Sequence, residues 1–171
     1  MSRPATTDYG TFFQTYVSLV PEENISAAIT SSLQELRLYL SVIPDDKADY
    51  AYAEGKWTVK QLLQHVIDAE RVFSYRALCI GRGEQQSLPG FDENVYAANA
   101  DVKHRSLREL KDEFLAVRQT SSQLFHGFTE TMLNRRGISN TSPTTCLAFG
   151  FVLLGHWRHH QTVLKERYGI E

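Results

Sequence analysis

Apolar residues recur at helical spacing along most of the chain. Over residues 24–42, Ile25, Ala28, Ile29, Leu33, Leu36 and Leu40 follow one another at steps of three and four, the pattern of one buried helical face. Pro44 ends that stretch and a polar loop, residues 45–55, follows. A second helix is predicted over residues 58–80, with Leu62, Val66, Ala69, Phe73, Arg76 and Ala77 along one face. Thr58 and Gln61 open it as a capping box, each side chain satisfying the other's free backbone N–H. Gly81 and Gly83 close it. A third helix is predicted over residues 106–128, opened by Ser106 with Glu109 and carrying Leu107, Leu110, Phe114, Val117, Leu124 and Phe125. A fourth is expected to start at Ser142-Pro143, an N-cap followed by proline at the first helical position. It continues through an apolar run, residues 146–155, to Tyr168, and Gly169 follows.

Shorter helices are predicted over residues 9–19 and 92–98. The second of these lies inside a long connection, residues 85–104, and connections of that length are commonly functional. No segment alternates like a strand between hairpin turns. The pattern predicts an all-α fold: a four-helix bundle with a long connection between its second and third helices and short extra helices, forming one domain over residues 1–171.

Composition narrows the setting. The chain has 171 residues, 42% hydrophobic and 22% charged, enough to bury a sizeable core. A net charge of −2 and the lack of any Lys/Arg cluster disfavour nucleic acid as a partner. Cys79 and Cys146 are far apart in sequence, so no disulfide framework is expected and a reducing, cytoplasmic setting is. Residues 1–10 have no apolar core of a signal peptide. The longest apolar run is too short for a membrane span, which needs ~20 residues.

The six histidines carry the chemistry: His65, His104, His126, His156, His159 and His160. His156 and His160 are four residues apart, so a helix places both on one face, where they can share an ion at ~2.0–2.1 Å. Such a pair alone is a weak signal. His65 lies two turns into another helix, beside the apolar positions Leu62, Val66 and Ala69. Three inward imidazoles with an open coordination position form a catalytic type of metal site. His159 competes with His160, but the step of four keeps closer to the face marked by Phe149, Val152, His156 and Val163. His104 is expected to be exposed, and His126 to sit at a helix C-terminus. Asp68 is a candidate to orient an imidazole, whereas Glu70 with Arg71 looks like a solvated surface pair. No catalytic residue can be assigned from spacing.

Two segments are similar to a known family. Trp57-Thr58-Val59-Lys60-Gln61-Leu62-Leu63-Gln64-His65 resembles the "W-[ST]-x-x-[EQ]-x-x-x-H" opening of the second bundle helix in the DinB/YfiT-like superfamily. Gly155-His156-Trp157-Arg158-His159-His160 resembles its closing "G-H-x-x-H-H". Leu88-Pro89-Gly90-Phe91-Asp92-Glu93-Asn94 resembles the connection of one branch. The resemblance runs over residues 24–168. It implies a four-helix bundle, one divalent ion, zinc or nickel, on His65, His156 and His160, and a homodimer. It also implies small-molecule chemistry of the kind performed by metal-dependent S-transferases and isomerases that use low-molecular-weight thiols such as bacillithiol or mycothiol.

Three functions follow as expectations. The first is transfer of a low-molecular-weight thiol to an electrophilic small molecule. The second is metal-assisted hydrolysis, with Asp68, Glu70, Tyr75 and Arg76 as candidate acid–base groups by helix position. The third is a non-catalytic metal-binding protein serving stress response or interaction. Arg71, Arg76 and Arg158 are candidates to hold a substrate carboxylate, while Trp57 and Trp157 are expected mainly to pack.

Overall fold

The structure, a computed structural model, describes residues 3–171. Seven helices and one hairpin follow in chain order: α1 Gln14–Ser18, α2 Ile25–Val42, α3 Val59–Arg82, α4 Glu93–Asn99, α5 Leu107–His126, α6 Glu130–Leu133, β1 Arg136–Ser139, β2 Ser142–Thr145 and α7 Cys146–Tyr168. The long helices are α2, α3, α5 and α7, so the four-helix bundle stands.

Local sequence sets most of the boundaries. Asn24 caps α2 by accepting from the Ser26 and Ala27 N–H groups. Both capping boxes form: Thr58 with Gln61 on α3, and Ser106 with Glu109 on α5. Helix α3 runs past Gly81 to Arg82 and stops at Gly83, whose φ of 96° favours glycine. Gly81 stays helical because its missing Cβ leaves room for the Phe128 ring. Gly169, at φ 63°, ends α7.

The packing order is not the sequence order. Helix α3 lies against both α5 and α7, and α2 lies against the same two. Going round the bundle the order is therefore α2, α5, α3, α7, and α2 and α3, though consecutive among the long helices, sit diagonally. That arrangement makes α3 and α7 direct neighbours along their length. One apolar cluster gathers around Phe13, Val17, Phe73, Phe125, Phe149 and Phe151, and a second around Leu36, Leu63, Phe114, Trp157 and Leu164. Along α3 and α7 the two clusters meet near His65 and His156.

The expected start of the last helix at Ser142-Pro143 is not what forms. Ser142–Thr145 is strand β2, paired antiparallel to β1, and Thr145 caps α7 by accepting from the Ala148 N–H. Pro143 is tolerated because a two-stranded ribbon leaves an edge on each side. Asn140 and Thr141 turn the hairpin with φ of 47° and 66°, the left-handed pair of a two-residue turn. The predicted first helix is also shorter: a 3-10 turn Thr11–Phe13 leads into α1. Among the described residues no helix is long and apolar enough to cross a membrane.

The connection between α3 and α5 is tied to the hairpin. Leu88 N–H donates to the Ile138 carbonyl at 2.9 Å, and Asn140 N–H donates to the Leu88 carbonyl at 3.0 Å. The hairpin and the start of the connection thus form one rim at the end of α3.

Candidate metal centre and cavity

Three predicted histidines converge. His65 on α3 and His156 and His160 on α7 are each buried, at 8%, 5% and 8% exposure. His156 Nε2 lies 3.1 Å from His65 Nε2 and 3.2 Å from His160 Nε2. All three ligand atoms fall within 4.8 Å of one another.

Burial sets their charge state. The His65 imidazole is pushed down to about 4 by desolvation and, less, by His159. His156 and His160 are held well below the ordinary histidine range, first by burial and then by neighbouring histidines. Neutral imidazoles offer lone pairs, and lone pairs that meet at one point repel unless a proton or cation lies between them. The donor set fits a divalent ion. Two nitrogens bound to one ion at ~2.0–2.1 Å, at octahedral to tetrahedral angles, are roughly 2.8–3.4 Å apart. His160 Nδ1 is buried with no partner among the described residues.

The triad is open on one side. A cavity of about 520 Å³ lies beside it, lined by His65, His156 and His160 together with Tyr16, Trp57, Phe73, Arg76, Phe91, Glu93, Ser139, Asn140 and His159 among others. That volume suits a small organic ligand. Aromatic edges hold the imidazoles in place. The Tyr16 ring meets His156 edge-on at 5.2 Å, Phe73 meets it at 5.5 Å, and Trp57 lies 4.8 Å from His65. Gly155 is required by this packing, because a Cβ there would run into the Tyr16 carbonyl. The Tyr16 hydroxyl is raised in pKa by burial and then by the Glu93 charge.

Several expectations are corrected. Glu70 is not a solvated partner of Arg71. It is buried at 2% exposure and takes two bonds from Arg118, at 2.9 and 2.7 Å. Arg71 pairs instead with Glu113 at 2.7 Å. Asp68 orients no imidazole: Gln64 donates to it at 2.9 Å, and burial raises its pKa. Tyr75 is 58% exposed and lines no part of the cavity. Arg158 is occupied by Glu22 at 2.6 and 2.7 Å. Trp157 packs in the core, edge-on to Phe114 and Tyr39, but Trp57 does more than pack, since it lines the cavity. His159 is half-buried and also lines it. His104 is exposed as expected, and His126 closes α5, its Nε2 3.1 Å from Thr30 Oγ1.

The chain matches the DinB superfamily model over residues 28–164. It belongs to the DinB superfamily. The DinB match spans both histidine-bearing helices. Among curated proteins, the chain is 22% identical over 157 residues to OB0413 of Oceanobacillus iheyensis, whose name provisionally calls it a metal-dependent hydrolase. That match covers 85% of this chain and 88% of the relative. Among solved structures it is similar to YfiT from Bacillus subtilis, described as a probable metal-dependent hydrolase with an unusual four-helix bundle topology. The TM-score is 0.71 at 21% identity, over 88% of this chain and 94% of YfiT. That likeness concerns the fold, and the diagonal placement of α2 and α3 is this chain's own instance of a non-sequential bundle.

The cavity walls were largely outside the reach of sequence. Tyr16 arrives from the N-terminal segment, Phe91 and Glu93 from the connection, and Asn140 from the hairpin turn. Arg76 did carry a signal, since eleven residues are three helical turns and return it to the face of His65.

Proposed function

We propose that this DinB protein is a metal-dependent enzyme in which His65, His156 and His160 hold one divalent ion, zinc or nickel, at the floor of the cavity. The observation that carries it is the convergence of three neutral Nε2 atoms beside an open, organic-sized cavity. Held by these three imidazoles, an ion would supply Lewis acidity and would lower the pKa of a coordinated thiol or water.

The favoured substrate class is a low-molecular-weight thiol together with an electrophilic small molecule. The aromatic lining from Phe73, Trp57 and Phe91 suits an apolar electrophile, and with its pKa lowered by a bound ion a thiol would give its proton to solvent without a carboxylate base from the chain. Trp57 and Tyr16 exclude water from the imidazoles on two sides. Hydrolysis is the second reading. It is favoured by the descriptions of OB0413 and YfiT, and by His159 on the cavity wall as a group able to move a proton. A purely non-catalytic role fits poorly with a cavity of this size next to the histidines. The homodimer implied by the sequence resemblance belongs to the same proposal and is tested by sedimentation.

The primary test is elemental analysis of protein purified without a metal-affinity tag. About one equivalent of metal is expected in the native chain and none in His65→Ala or His160→Ala. No metal, and no uptake of added zinc or nickel, defeats the reading. With metal established, conjugation of thiols to an alkylating aromatic substrate, run beside hydrolysis of aryl esters and amides, separates the two chemistries.

A further inference from the structure

Among the described residues, Arg76 is a buried cation with no carboxylate in ion-pair range. It is 4% exposed and lines the cavity. Arginine carries five N–H donors. Among the described residues the guanidinium meets one acceptor, the Pro89 carbonyl, 2.7 Å from Nη2, while its face rests 5.7 Å from the Phe91 ring centroid. Burial lowers its pKa, opposed in smaller measure by the Tyr96 hydroxyl. The other buried guanidinium, Arg118, takes a carboxylate from the neighbouring helix. Desolvating a cation without a counterion is costly, so a site that keeps one is built for an anion that arrives from outside.

A second polar group on the same wall is unmatched. Ser139 is 1% exposed, lines the cavity, and its Oγ has no partner among the described residues. Both groups converge on one short stretch. Arg76 binds the Pro89 carbonyl, and Ser139 pairs with Leu88 across the rim. Glu93 is the acidic residue of the lining. Its charge raises the Tyr16 hydroxyl.

We propose that Arg76 and Ser139 form a carboxylate subsite, so that the substrate of the histidine centre is an amphiphilic acid with its reacting group and its carboxylate at opposite ends. The geometry sets that shape. Arg76 is three turns from His65 on the same helix face, about 16 Å further along the axis. Phe73 meets the His156 ring and Phe91 covers the Arg76 guanidinium, and both line the cavity, where they suit an apolar middle. The planar fork of Arg76 holds two carboxylate oxygens, and the Ser139 hydroxyl donates a further bond. The subsite rests on the cavity being the reaction site, and it names the class of molecule that enters.

The experiment is calorimetric titration of the metal-loaded protein with 4-phenylbutanoate and with its neutral amide, alongside metal analysis of the same samples. The native protein is expected to bind the acid about 10-fold or more tighter than the amide, the yield of one bidentate charged contact. Arg76→Met is expected to abolish that preference, and Arg76→Lys to keep part of it because the charge remains without the fork. Ser139→Ala is expected to reduce it roughly threefold or more. Equal binding of acid and amide, or no binding of either at millimolar concentration, overturns the subsite. A preference that survives in Arg76→Met but vanishes when the metal is stripped also overturns it, since the carboxylate then binds at the histidines. A preference that survives metal removal and is lost in Arg76→Met upholds the subsite even in a preparation that holds no metal, so the two proposals fail separately.

Discussion

Arg118 and Arg76 are both nearly sealed from water, yet they occupy opposite situations. Arg118, on α5, forms two bonds to Glu70 of α3 and lies over the Phe114 ring. Arg76, on α3, has a carbonyl and an aromatic face. On α3, Glu70 follows His65 and binds Arg118 of α5, while Arg76 lies three turns past His65 and lines the cavity with it. Between α3 and α5 the fold answers a buried charge with a charge of its own. At the cavity it leaves a cation, a hydroxyl and three imidazole lone pairs. Matched groups of the first kind hold helices in register. Unmatched groups of the second kind are what a ligand completes.

The contrast breaks first at Glu70. Glu70→Ala strands a buried guanidinium and is expected to cost about 3–5 kcal/mol, read by denaturant unfolding. Adding Arg118→Met should restore much of the loss, because the pair then leaves together. A single-site cost below about 1 kcal/mol would mean that the pair behaves like a surface one.

The second prediction concerns pH and applies to metal-free protein. His65 is held neutral in the fold, with its pKa moved from 6.5 to about 4. The unfolded chain therefore binds the extra proton first as pH falls. Stability is complete above about pH 6.5, declines through the interval, and levels near pH 4, a loss of roughly 3 kcal/mol for this group. Urea unfolding across that interval reads it, and a flat profile contradicts the burial.

Gly155→Ala comes third. Its Cβ collides with the Tyr16 backbone, so α1 must move off α7, at a cost of about 1–3 kcal/mol. Melting temperature and metal content should fall together. The smallest effect is expected at Arg76→Met. Removing a buried cation that has no ion-pair partner relieves desolvation while losing one bond, so stability should stay within about 1 kcal/mol of native. An Arg76→Met cost as large as that of Glu70→Ala would erase the distinction between the two arginines.

The same contrast separates what the sequence discloses from what it does not. Contacts made within one helix were legible. The capping boxes at Thr58 and Ser106 depend on residues three apart, and the His156–His160 pair on residues four apart. The place of His65 followed from its apolar neighbours. Long-range pairing was not legible. Glu70 and Arg118 are 48 residues apart, so Glu70 reads as one half of a surface pair with Arg71. The hairpin was missed because its strands are four residues long, contain Pro143 and turn through Asn140-Thr141 without a glycine. That hairpin shifted the start of α7 from Ser142 to Thr145 and supplied Ser139 and Asn140 to the cavity. The N-terminal wall had no sequence mark of its own, since Tyr16 acquires its role only where Gly155 admits it.

That close approach has a consequence for how the protein is made. His65 and His156 are 91 residues apart, and synthesis proceeds from the N-terminus. A growing chain displays Tyr16 and His65 long before the partners of either exist. Through that interval it has a single imidazole where the finished site has three, and any ion it meets finds one weak ligand. On the proposed reading, an ion can be held only after His160 has been added and α7 has closed against α3. Selection of the ion would then belong to the completed molecule, and a fragment ending between the two helices would lack the site.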